Sequence, residues 1–476
     1  MNNTPFYRNF CSLLLLGLLL IFSSEVFAME HNLAMPYATK PSPPNIAELA
    51  FYCPNSETLL FTGKKDIEIV CRAALRSVSL SYGVMRNMFT TPFIKGQAEA
   101  RPGNIYVMRI PVAKLYPGFY DIRVVLDPGD GKLVNGQCTF GYKVDKLPYV
   151  NTRPADFEAF WAKGKAELAK IALDPQVGPF QQFKGKEIDA YNLAHACLPG
   201  DYDPRGHRTE EVECAKVDFA GIGNKRIHGW LAKPKGNGPF PAMLVLPGAG
   251  FAARPMPLEH ARHGYVAMDI QVHGQEVDLE KYPTLPGYYQ DFVYKPIEGY
   301  YYYQVYLNAV QAVHYLLSRP DVDPTRIVVV GGSQGGRLSV STAALEPRVA
   351  ASIPAIAHFS NIPYLDWSKQ CNTAKKDGMD RADTPAPPDT DEQRCLAYYD
   401  TMNFAQDIKC PVLMNAGLVD GASYPMGVFA VFNRLGSKDK QIVPVPNCAH
   451  DWFAEFDRRA WRWLDEKLHL PAITKP

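Results

Sequence analysis

RIVVVGGSQGGRLSV, residues 326–340, contains the pattern from which the architecture of this chain can be predicted. The β-branched run at 327–330 is typical of a buried strand in a parallel sheet, and a helical pattern begins at Gly335. A serine between glycine pairs at such a turn is typical of a nucleophile elbow, whose strained backbone exposes the hydroxyl while the glycines leave room for the turn. The stretch therefore predicts Ser333 as a nucleophile at the carboxyl end of a strand.

The residue after Ser333 is expected to take part in the same chemistry. The backbone N–H of Gln334 opens the predicted helix, where the helix dipole favours a developing negative charge, so we expect it to donate to an oxyanion. The alternative for a glycine-rich turn is a phosphate-binding loop. That alternative is disfavoured because the helix begins directly after Ser333, no Gly-Lys-Ser/Thr is present, and dinucleotide fingerprints usually follow a domain's first strand.

Strands and helices alternate on both sides of this turn, from about residue 212 onward. The apolar runs that predict parallel strands are 242–246, 266–270, 327–330, 351–354 and 412–415. The helical patterns are 303–317, 335–345, 424–435 and 452–468. This alternation predicts an α/β-hydrolase type of doubly wound, mostly parallel sheet, with a ligand crevice at the carboxyl ends of its strands. A polar, proline-rich insertion at about 362–400 is expected to be either a lid over the crevice or a surface loop.

Two residues downstream complete a catalytic set in the order that this fold requires, serine, acid and histidine. Asp420 follows the predicted strand 411–415, and His450 follows the predicted strand 441–445. Each residue alone has an ordinary explanation, a turn former for the aspartate and a surface residue for the histidine. Their order, each after a separate strand at one end of the sheet, favours a triad of Ser333 as nucleophile, His450 as general base and Asp420 as orienting acid.

The chain before residue 150 has a different pattern. Short alternating segments at 66–71, 77–82, 105–110 and 120–126 are separated by glycine and proline turns, which predicts a small β-sandwich over residues 29–150. A helical period begins near Pro154, so the second domain is predicted over residues 151–476. Because the three triad residues all lie in the second domain, we expect that domain, if it folds alone, to hydrolyse small esters without the first.

Residues 1–28 have the pattern of a secretory signal peptide. Arg8 precedes an apolar run at 13–22, and small residues lead to Ala28. The run is too short for a stable membrane span, although an N-terminal anchor stays an alternative. We expect cleavage after about Ala28 and a periplasmic or secreted protein, with no stable membrane span after cleavage.

Export would place the cysteines in an oxidising compartment. The chain has ten cysteines, and removal of Cys11 with the signal peptide leaves an odd number. Cys371 with Cys395, and Cys197 with Cys214, are plausible bridges, although sequence alone does not establish pairing. The cysteines lack the CxxC or Cys/His spacing of a zinc site, so no metal is predicted.

The charge balance excludes one class of partner. A formal net charge of +1 gives no electrostatic basis for binding nucleic acid or an anionic membrane surface. The expected partner is an acylated carbohydrate or a small ester, without a cofactor, and a homo-oligomer is possible.

The chain resembles the acetyl xylan esterase and cephalosporin C deacetylase family, carbohydrate esterase family seven, over roughly residues 154–468. The resemblance rests on the segments 303–313, 318–324, 331–336 and 403–414, together with Asp420 and His450. It implies that Ser333, Asp420 and His450 are the triad. It also implies removal of small acyl groups, chiefly acetate, from sugar hydroxyls without a cofactor.

The chain departs from the family pattern at three places. His273 replaces the arginine of the usual Arg-Gly-Gln, which removes a guanidinium with five donors. Pro247-Gly248-Ala249 replaces the usual His-Gly-Tyr, and Asp451 replaces the usual glutamate after the histidine. Backbone donation does not depend on the side chain, so the N–H of Ala249 is predicted as the second oxyanion donor. The missing aromatic ring is expected to enlarge the acyl pocket.

Four aromatic residues are candidates for contact with the substrate. Phe251, Tyr300, Tyr301 and Trp367 are candidates for stacking on sugar faces, or else ordinary core or surface aromatics. Two other functions are considered, a serine peptidase of the prolyl oligopeptidase type and a non-catalytic carbohydrate-binding protein on a hydrolase scaffold. The lack of an internal repeat in residues 29–150 argues against the propeller of the former, and the complete triad argues against the latter.

Overall fold

A computed structural model describes residues 49–75, 77–195, 204–283, 296–380, 385–451 and 453–472. The predicted signal peptide and Cys197 lie outside these residues. No helix in the described part of the chain is long and apolar enough to cross a bilayer.

The first part of the chain is all-β, as predicted. Its strands are β1 (Leu49–Tyr52), β2 (Leu60–Phe61), β3 (Ile67–Ala73), β4 (Ser79–Arg86), β5 (Ile94–Gln97), β6 (Glu99–Arg101), β7 (Ile105–Ile110), β8 (Gly118–Asp127) and β9 (Val134–Tyr142). They form two mainly antiparallel sheets with the orders β1-β3-β7-β6 and β2-β9-β8-β4-β5. Both sheets contribute buried side chains to one core, among them Ile69 and Met108 from the first and Ile122 and Phe140 from the second. We call this unit the N-terminal sandwich.

The second part alternates strands and helices. Its strands are β10 (Gln176–Val177), β11 (Gln181–Lys184), β12 (Glu211–Gly221), β13 (Lys225–Pro234), β14 (Phe240–Val245), β15 (Val266–Gln271), β16 (Val322–Gly332), β17 (Val349–Ala355), β18 (Val412–Gly417) and β19 (Lys440–Val445). Its helices are α1 (Phe157–Leu168), α2 (Gly185–Ala194), α3 (Leu258–Arg262), α4 (Tyr301–Leu317), α5 (Gln334–Leu345), α6 (Ile362–Thr373), α7 (Asp391–Ala397), α8 (Thr401–Phe404), α9 (Pro425–Arg434) and α10 (Ala454–Lys467). Short 3-10 helices lie at Val112–Lys114, Val144–Lys146, Pro204–Gly206, Ile297–Gly299 and Ala405–Asp407.

These strands join one large sheet in the order β10-β12-β13-β15-β14-β16-β17-β18-β19, and β11 also pairs with β12. From β15 to β19 neighbouring strands are parallel, whereas β12 and β13 form an antiparallel pair at one side. The predicted α/β-hydrolase fold class is thus confirmed. Because β16, β18 and β19 are parallel, the residues that follow them meet at the carboxyl ends of the strands.

Both faces of the parallel sheet are covered by helices, which explains why its strands are apolar on both sides. Successive side chains of a strand point to opposite faces. Met243 and Val328 pack with Trp461 of α10 in one apolar cluster. Their neighbours Leu244 and Val329 belong to the larger cluster, which includes α4 and α5.

The larger apolar cluster also includes the N-terminal sandwich, so the core is continuous across the predicted domain boundary. Phe119 of β8 contacts Phe429 of α9 with ring centroids 4.9 Å apart. In a second contact, Asn447 donates from Nδ2 to the backbone oxygen of Phe51 at 2.9 Å. The sandwich therefore shares buried apolar surface with the large sheet.

The insertion at 362–400 does not form a simple surface loop in its described part. It contains α6 and α7, and α6 lies against the N-terminal sandwich. Phe89 packs edge-on against Trp367 with centroids 4.9 Å apart, and Tyr364 donates from its hydroxyl to the backbone oxygen of Asn87 at 2.7 Å. The helix α6 thus packs against the sandwich, and its residues Tyr364 and Trp367 belong to the larger apolar cluster.

The bridge predicted between Cys371 and Cys395 is not formed. Cys395 is a free buried thiol, and its burial raises its pKa to about 12. Cys214 is likewise a free buried thiol, and its predicted partner Cys197 lies outside the described residues.

Candidate active site

Ser333 lies at the turn between β16 and α5 and has an unusual backbone conformation, with φ of 58° and ψ of −116°. Such a conformation is strained for a residue with a side chain and persists only where its surroundings hold it. Here the N–H of Ser333 donates to the oxygen of Ala355 at 3.1 Å. A Cβ atom added at Gly335 would lie 2.2 Å from the oxygen of Leu246, so this glycine permits close approach of the preceding loop.

The structure brings Ser333, His450 and Asp420 together. His450 Nε2 lies 2.9 Å from Ser333 Oγ, and His450 Nδ1 lies 2.8 Å from Asp420 Oδ2. Asp420 follows the end of β18 and His450 follows the end of β19, so three parallel strands deliver the three side chains to one place. The sequence prediction grouped the same residues.

Asp420 is held so that one oxygen faces the imidazole. The backbone N–H groups of Ala422 and Ser423 both donate to Oδ1 at 2.8 Å, and the side chain is buried. A carboxylate can only accept, so the proton of neutral His450 resides on Nδ1. His450 Nε2 is then the acceptor that faces the Ser333 hydroxyl.

The basicity of His450 reflects two opposing effects. Burial alone would lower its pKa, but the hydrogen bond and the charge of Asp420 outweigh burial and raise the pKa above the usual 6.5. The carboxylate therefore favours the imidazolium form that would result from deprotonation of Ser333.

The loop 246–250, between β14 and α3, lies beside the elbow and contains the second predicted oxyanion donor. Gln334 donates from Nε2 to the oxygen of Gly248 at 3.2 Å, while Tyr302 donates from its hydroxyl to Gln334 Oε1 at 2.7 Å. The oxygen of Gly248 and the N–H of Ala249 belong to one planar peptide group. Fixing the former therefore fixes the orientation of the latter.

His273 holds the same loop from its other side. Its Nε2 lies 3.1 Å from the oxygen of Gly250, and its Nδ1 lies 2.6 Å from the hydroxyl of Tyr301. Because a carbonyl only accepts, Nε2 carries the proton and Tyr301 donates to Nδ1. Burial lowers the pKa of His273 to about 4, which favours this neutral form. The loop is thus hydrogen-bonded here without the arginine of the family pattern.

Two of the four predicted sugar-stacking residues are misassigned. Tyr300 is 1% exposed and its ring packs against Tyr399, with centroids 4.6 Å apart. Trp367 is 5% exposed, between Phe89 and the guanidinium of Arg86. Both rings are part of the core and have no face open to a sugar.

Phe251 and Tyr301, the other two candidates, are half-buried. Phe251 packs against His273 with ring centroids 4.9 Å apart, and Tyr301 is hydrogen-bonded to the same imidazole. Both lie beside the loop 246–250, and their role in substrate binding stays a prediction.

Two residues of this region were not predicted from the sequence. The N–H of His358 donates to the oxygen of Ser333 at 3.2 Å, and burial followed by the charge of His450 lowers the pKa of His358 to about 4. Arg337 is buried one turn after the nucleophile, with its guanidinium 3.5 Å from the ring centroid of Tyr302 and 3.8 Å from that of Phe359. His358 follows the end of β17, and that position was the available signal.

Known proteins resemble this chain in sequence and in fold. The sequence profile of the acetyl xylan esterase (AXE1) family matches residues 198–467. The chain belongs to this family. The acetyl esterase Axe7A of Xylanibacter ruminicola is 28% identical over 367 residues, which are 74% of this chain and 75% of that protein.

Solved structures of acetyl xylan esterases have the same fold. The enzyme of Paenibacillus sp. R4 is 26% identical with a TM-score of 0.51, over 68% of this chain and 98% of that one. Acetyl xylan esterase 1 of Thermoanaerobacterium sp. JW/SL YS485 is 25% identical with a TM-score of 0.52 and the same coverage. The predicted family is confirmed, and the chain is a carboxylic ester hydrolase with an ester as its substrate.

Proposed function

We propose that this protein is an exported serine esterase that removes acetyl or other small acyl groups from carbohydrate hydroxyls through an acyl-enzyme. The observation that carries the proposal is the continuous hydrogen-bond chain from Asp420 through His450 to the strained Ser333. Family membership supports an ester of a carbohydrate as the substrate class.

In the proposed reaction, His450 Nε2 accepts the proton of Ser333 as Oγ attacks the ester carbonyl. Asp420 keeps the imidazole in the required tautomer and stabilises its positive charge. The tetrahedral intermediate collapses when His450 returns the proton to the sugar oxygen, which leaves an acyl group on Ser333. Water, deprotonated by His450, then attacks the acyl carbonyl. This second intermediate collapses when His450 returns the proton to Ser333 Oγ, which breaks the bond between Oγ and the acyl group and releases the carboxylic acid.

The oxyanion of each tetrahedral intermediate would be held by the backbone N–H groups of Gln334 and Ala249. In this scheme Gln334 has two tasks, since its side chain also fixes the peptide group that carries the N–H of Ala249. Preorganised donors of this kind need no rearrangement as charge develops, and each one typically contributes about a hundredfold in rate.

The first experiment tests the nucleophile. Ser333→Ala should fold normally and lose at least about a thousandfold in kcat on 4-nitrophenyl acetate and on acetylated xylo-oligosaccharides. The matched control is Ser341→Ala, which removes a buried hydroxyl of α5, the helix that follows Ser333. Among the described residues, this hydroxyl donates to the backbone oxygen of Leu338. Retention of more than about a tenth of the activity by Ser333→Ala would refute the assignment.

The substrate panel separates the alternatives. Hydrolysis of acetylated sugars but not of peptides supports the proposal. Cleavage of prolyl peptides without ester hydrolysis would indicate the peptidase, and saccharide binding without hydrolysis would indicate the binding protein. Feruloyl esters in the same panel would show whether a larger acyl group is preferred.

Export is supported by the sequence of residues 1–28 alone. The expected mature protein begins directly after about Ala28 and is recovered from the periplasm or the medium. N-terminal sequencing of the purified protein and fractionation of expressing cells measure both properties. An uncleaved N-terminus in the membrane fraction would favour the alternative of an anchor.

A further inference from the structure

A cluster of two histidines and one glutamate lies far from the proposed catalytic residues. It consists of His207, which precedes β12, Glu259 within α3 and His263 directly after α3. We call these three residues the His-Glu-His cluster. The helix α3 returns the chain to the start of β15, so the cluster lies near the amino ends of the parallel strands, whereas Ser333 follows the carboxyl end of β16.

The three side chains converge at short distances inside the protein. His207 Nε2 lies 2.5 Å from Glu259 Oε1, and His263 Nε2 lies 3.7 Å from the same oxygen. One donor atom from each of the three residues lies within 4.8 Å of the donor atoms of the other two. Glu259 is 1% exposed and His263 is 3% exposed, so an ionised carboxylate is withdrawn from water here.

Neighbouring residues fix the orientation of this cluster. Asn192 donates from Nδ2 to Glu259 Oε2 at 2.9 Å, which leaves Oε1 facing the histidines. The ring of His263 stacks on Trp461 of α10, with centroids 3.9 Å apart and an angle of 11°. A Cβ atom added at Gly206 would lie 2.2 Å from His263 Cε1, so the backbone of Gly206 lies close to the ring.

One buried nitrogen in the cluster lacks a hydrogen-bond partner among the described residues. This nitrogen is Nε2 of His263. Its distance of 3.7 Å from Glu259 Oε1 is too long for a hydrogen bond. A buried polar atom without a partner is rare and costly, and a bound ligand would satisfy it.

We infer that the His-Glu-His cluster binds a divalent transition-metal ion, with Zn²⁺ as its best match. Two imidazole nitrogens and a carboxylate oxygen form a ligand set that suits Zn²⁺ and its neighbours, and a water molecule completes a tetrahedron. Donor atoms on such an ion are about 3.3 Å apart, given metal–ligand bonds of about 2.0 Å. The two measured distances, 2.5 and 3.7 Å, lie on either side of this value and require shifts below about 1 Å.

Binding requires a change of tautomer at one histidine. In the cluster as described, His207 Nε2 donates its proton to Glu259, so a metal can bind that nitrogen only after the proton moves to Nδ1. Glu210 Oε1 lies 4.0 Å from His207 Nδ1 and is positioned to accept it with a small movement. A carboxylate behind a metal-bound histidine is a common second partner.

The ion would stabilise the fold and would take no part in ester hydrolysis. It would join residue 207 to α3, and through the stack on Trp461 it would also support α10. Arg208, the next residue, already donates to Asp465 of α10 at 2.9 Å. The sequence prediction of no metal considered cysteine spacing and did not consider a histidine and a glutamate four residues apart on a helix.

Metal binding by full-length protein stripped with a strong chelator tests the inference directly. Titration with Zn²⁺ should show one ion per chain with a dissociation constant below about 10 µM, and Co²⁺ should give the visible spectrum of nitrogen and oxygen ligation. Saturation should raise Tm by at least about 2 °C, while kcat on 4-nitrophenyl acetate stays within about twofold. Absence of stoichiometric binding by the stripped protein would overturn the inference without touching the proposed function.

Variants locate the site. Glu259→Gln and His263→Gln should each weaken Zn²⁺ binding at least about tenfold and abolish the rise in Tm. His260→Gln is the matched control, because His260 lies on the same helix and contacts the same Trp461 but is outside the cluster. Equal binding by wild type, Glu259→Gln and His263→Gln, or loss of binding only in His260→Gln, would overturn the assignment. Should a cluster variant fail to fold, the titration of the stripped wild-type protein still decides.

Discussion

In the proposed mechanism, the protonation state of His450 determines whether Ser333 can be activated. Only neutral imidazole accepts a proton, and the carboxylate of Asp420 raises the pKa of His450 above 6.5 despite burial. Activity should therefore be complete at pH values above the raised pKa and fall as pH decreases through it. A plot of kcat/KM against pH should show an acid limb with an apparent pKa above 6.5, and an acid limb below this value would contradict the geometry.

Replacement of Asp420 should separate orientation from basicity. In Asp420→Asn the effect of burial persists while the charge is lost, so the pKa of His450 falls and the acid limb moves to lower pH. The rate at neutral pH should still decrease by about a thousandfold or more, because an amide can hold the wrong tautomer. Asp451→Asn is the control, since Asp451 is exposed and contributes less to the pKa of His450. An unchanged pH profile in Asp420→Asn would contradict this account.

Tyr302 is predicted to position the loop 246–250, which contains the proposed oxyanion donor Ala249. Its hydroxyl holds Gln334 Oε1, and Gln334 in turn holds Gly248. Tyr302→Phe should lower kcat about five- to tenfold with little change in KM, because the oxyanion exists only near the transition state. The matched control is Tyr303→Phe, whose hydroxyl bonds Glu167. Equal kcat values for the two variants would exclude this role for Tyr302.

At the scale of single elements, the loop 246–250 is predicted to determine which acyl groups fit. Ala249 is exposed and stands where the family usually has a tyrosine. Wild type should accept propionyl and butyryl esters, since each added methylene changes discrimination by about 1 kcal/mol, or about fivefold. Ala249→Tyr should lower the butyryl rate at least about tenfold while the acetyl rate of the same variant serves as the internal control. A wild-type enzyme already strict for acetate would show that another side chain closes the pocket.

The elements were predictable where the local pattern determines them. The apolar run 327–330 marked β16, although the strand extends from Val322 to Gly332, because its polar beginning resembles a turn. The helix α6 was missed because its apolar residues pack on the N-terminal sandwich, a partner that local pattern does not reveal. The start of α7 has the sequence pattern of a capping box, with Thr390 followed three residues later by Gln393. In the structure Thr390 accepts from the N–H of Gln393 at 3.1 Å.

The proposed site was predictable for a similar reason. Ser333, Asp420 and His450 each follow a strand, so the order of the motifs determined their meeting place. Tyr300 and Tyr301 show the limit of such reasoning, because these neighbours have the same composition signal and yet only Tyr300 is buried. The His-Glu-His cluster brings together residues that are far apart in sequence. No local sequence pattern predicts that His207 lies beside α3.

At the scale of the whole molecule, the N-terminal sandwich shares its core with the catalytic part. Phe119 packs against Phe429, and Phe89 packs against Trp367. Asn447, which lies three residues before His450, donates to the backbone of β1. This arrangement changes the expectation drawn from the sequence, which was that the second domain hydrolyses small esters without the first domain. The sandwich instead supports the loop that carries the proposed base.

Removal of the sandwich tests this dependence. A chain that begins at Tyr149 exposes the apolar surface of α6 and α9, so it should be poorly soluble or unfold at a lower temperature than the full chain. Any soluble fraction should hydrolyse 4-nitrophenyl acetate more slowly, because Asn447 no longer has the oxygen of Phe51 as an acceptor. In the full chain, Trp367→Ala should cost about 3–5 kcal/mol of stability through the cavity that it leaves at the same contact. Denaturation and ester hydrolysis measured on all three proteins decide the matter, because a truncated chain with full activity and unchanged Tm would establish two independent modules.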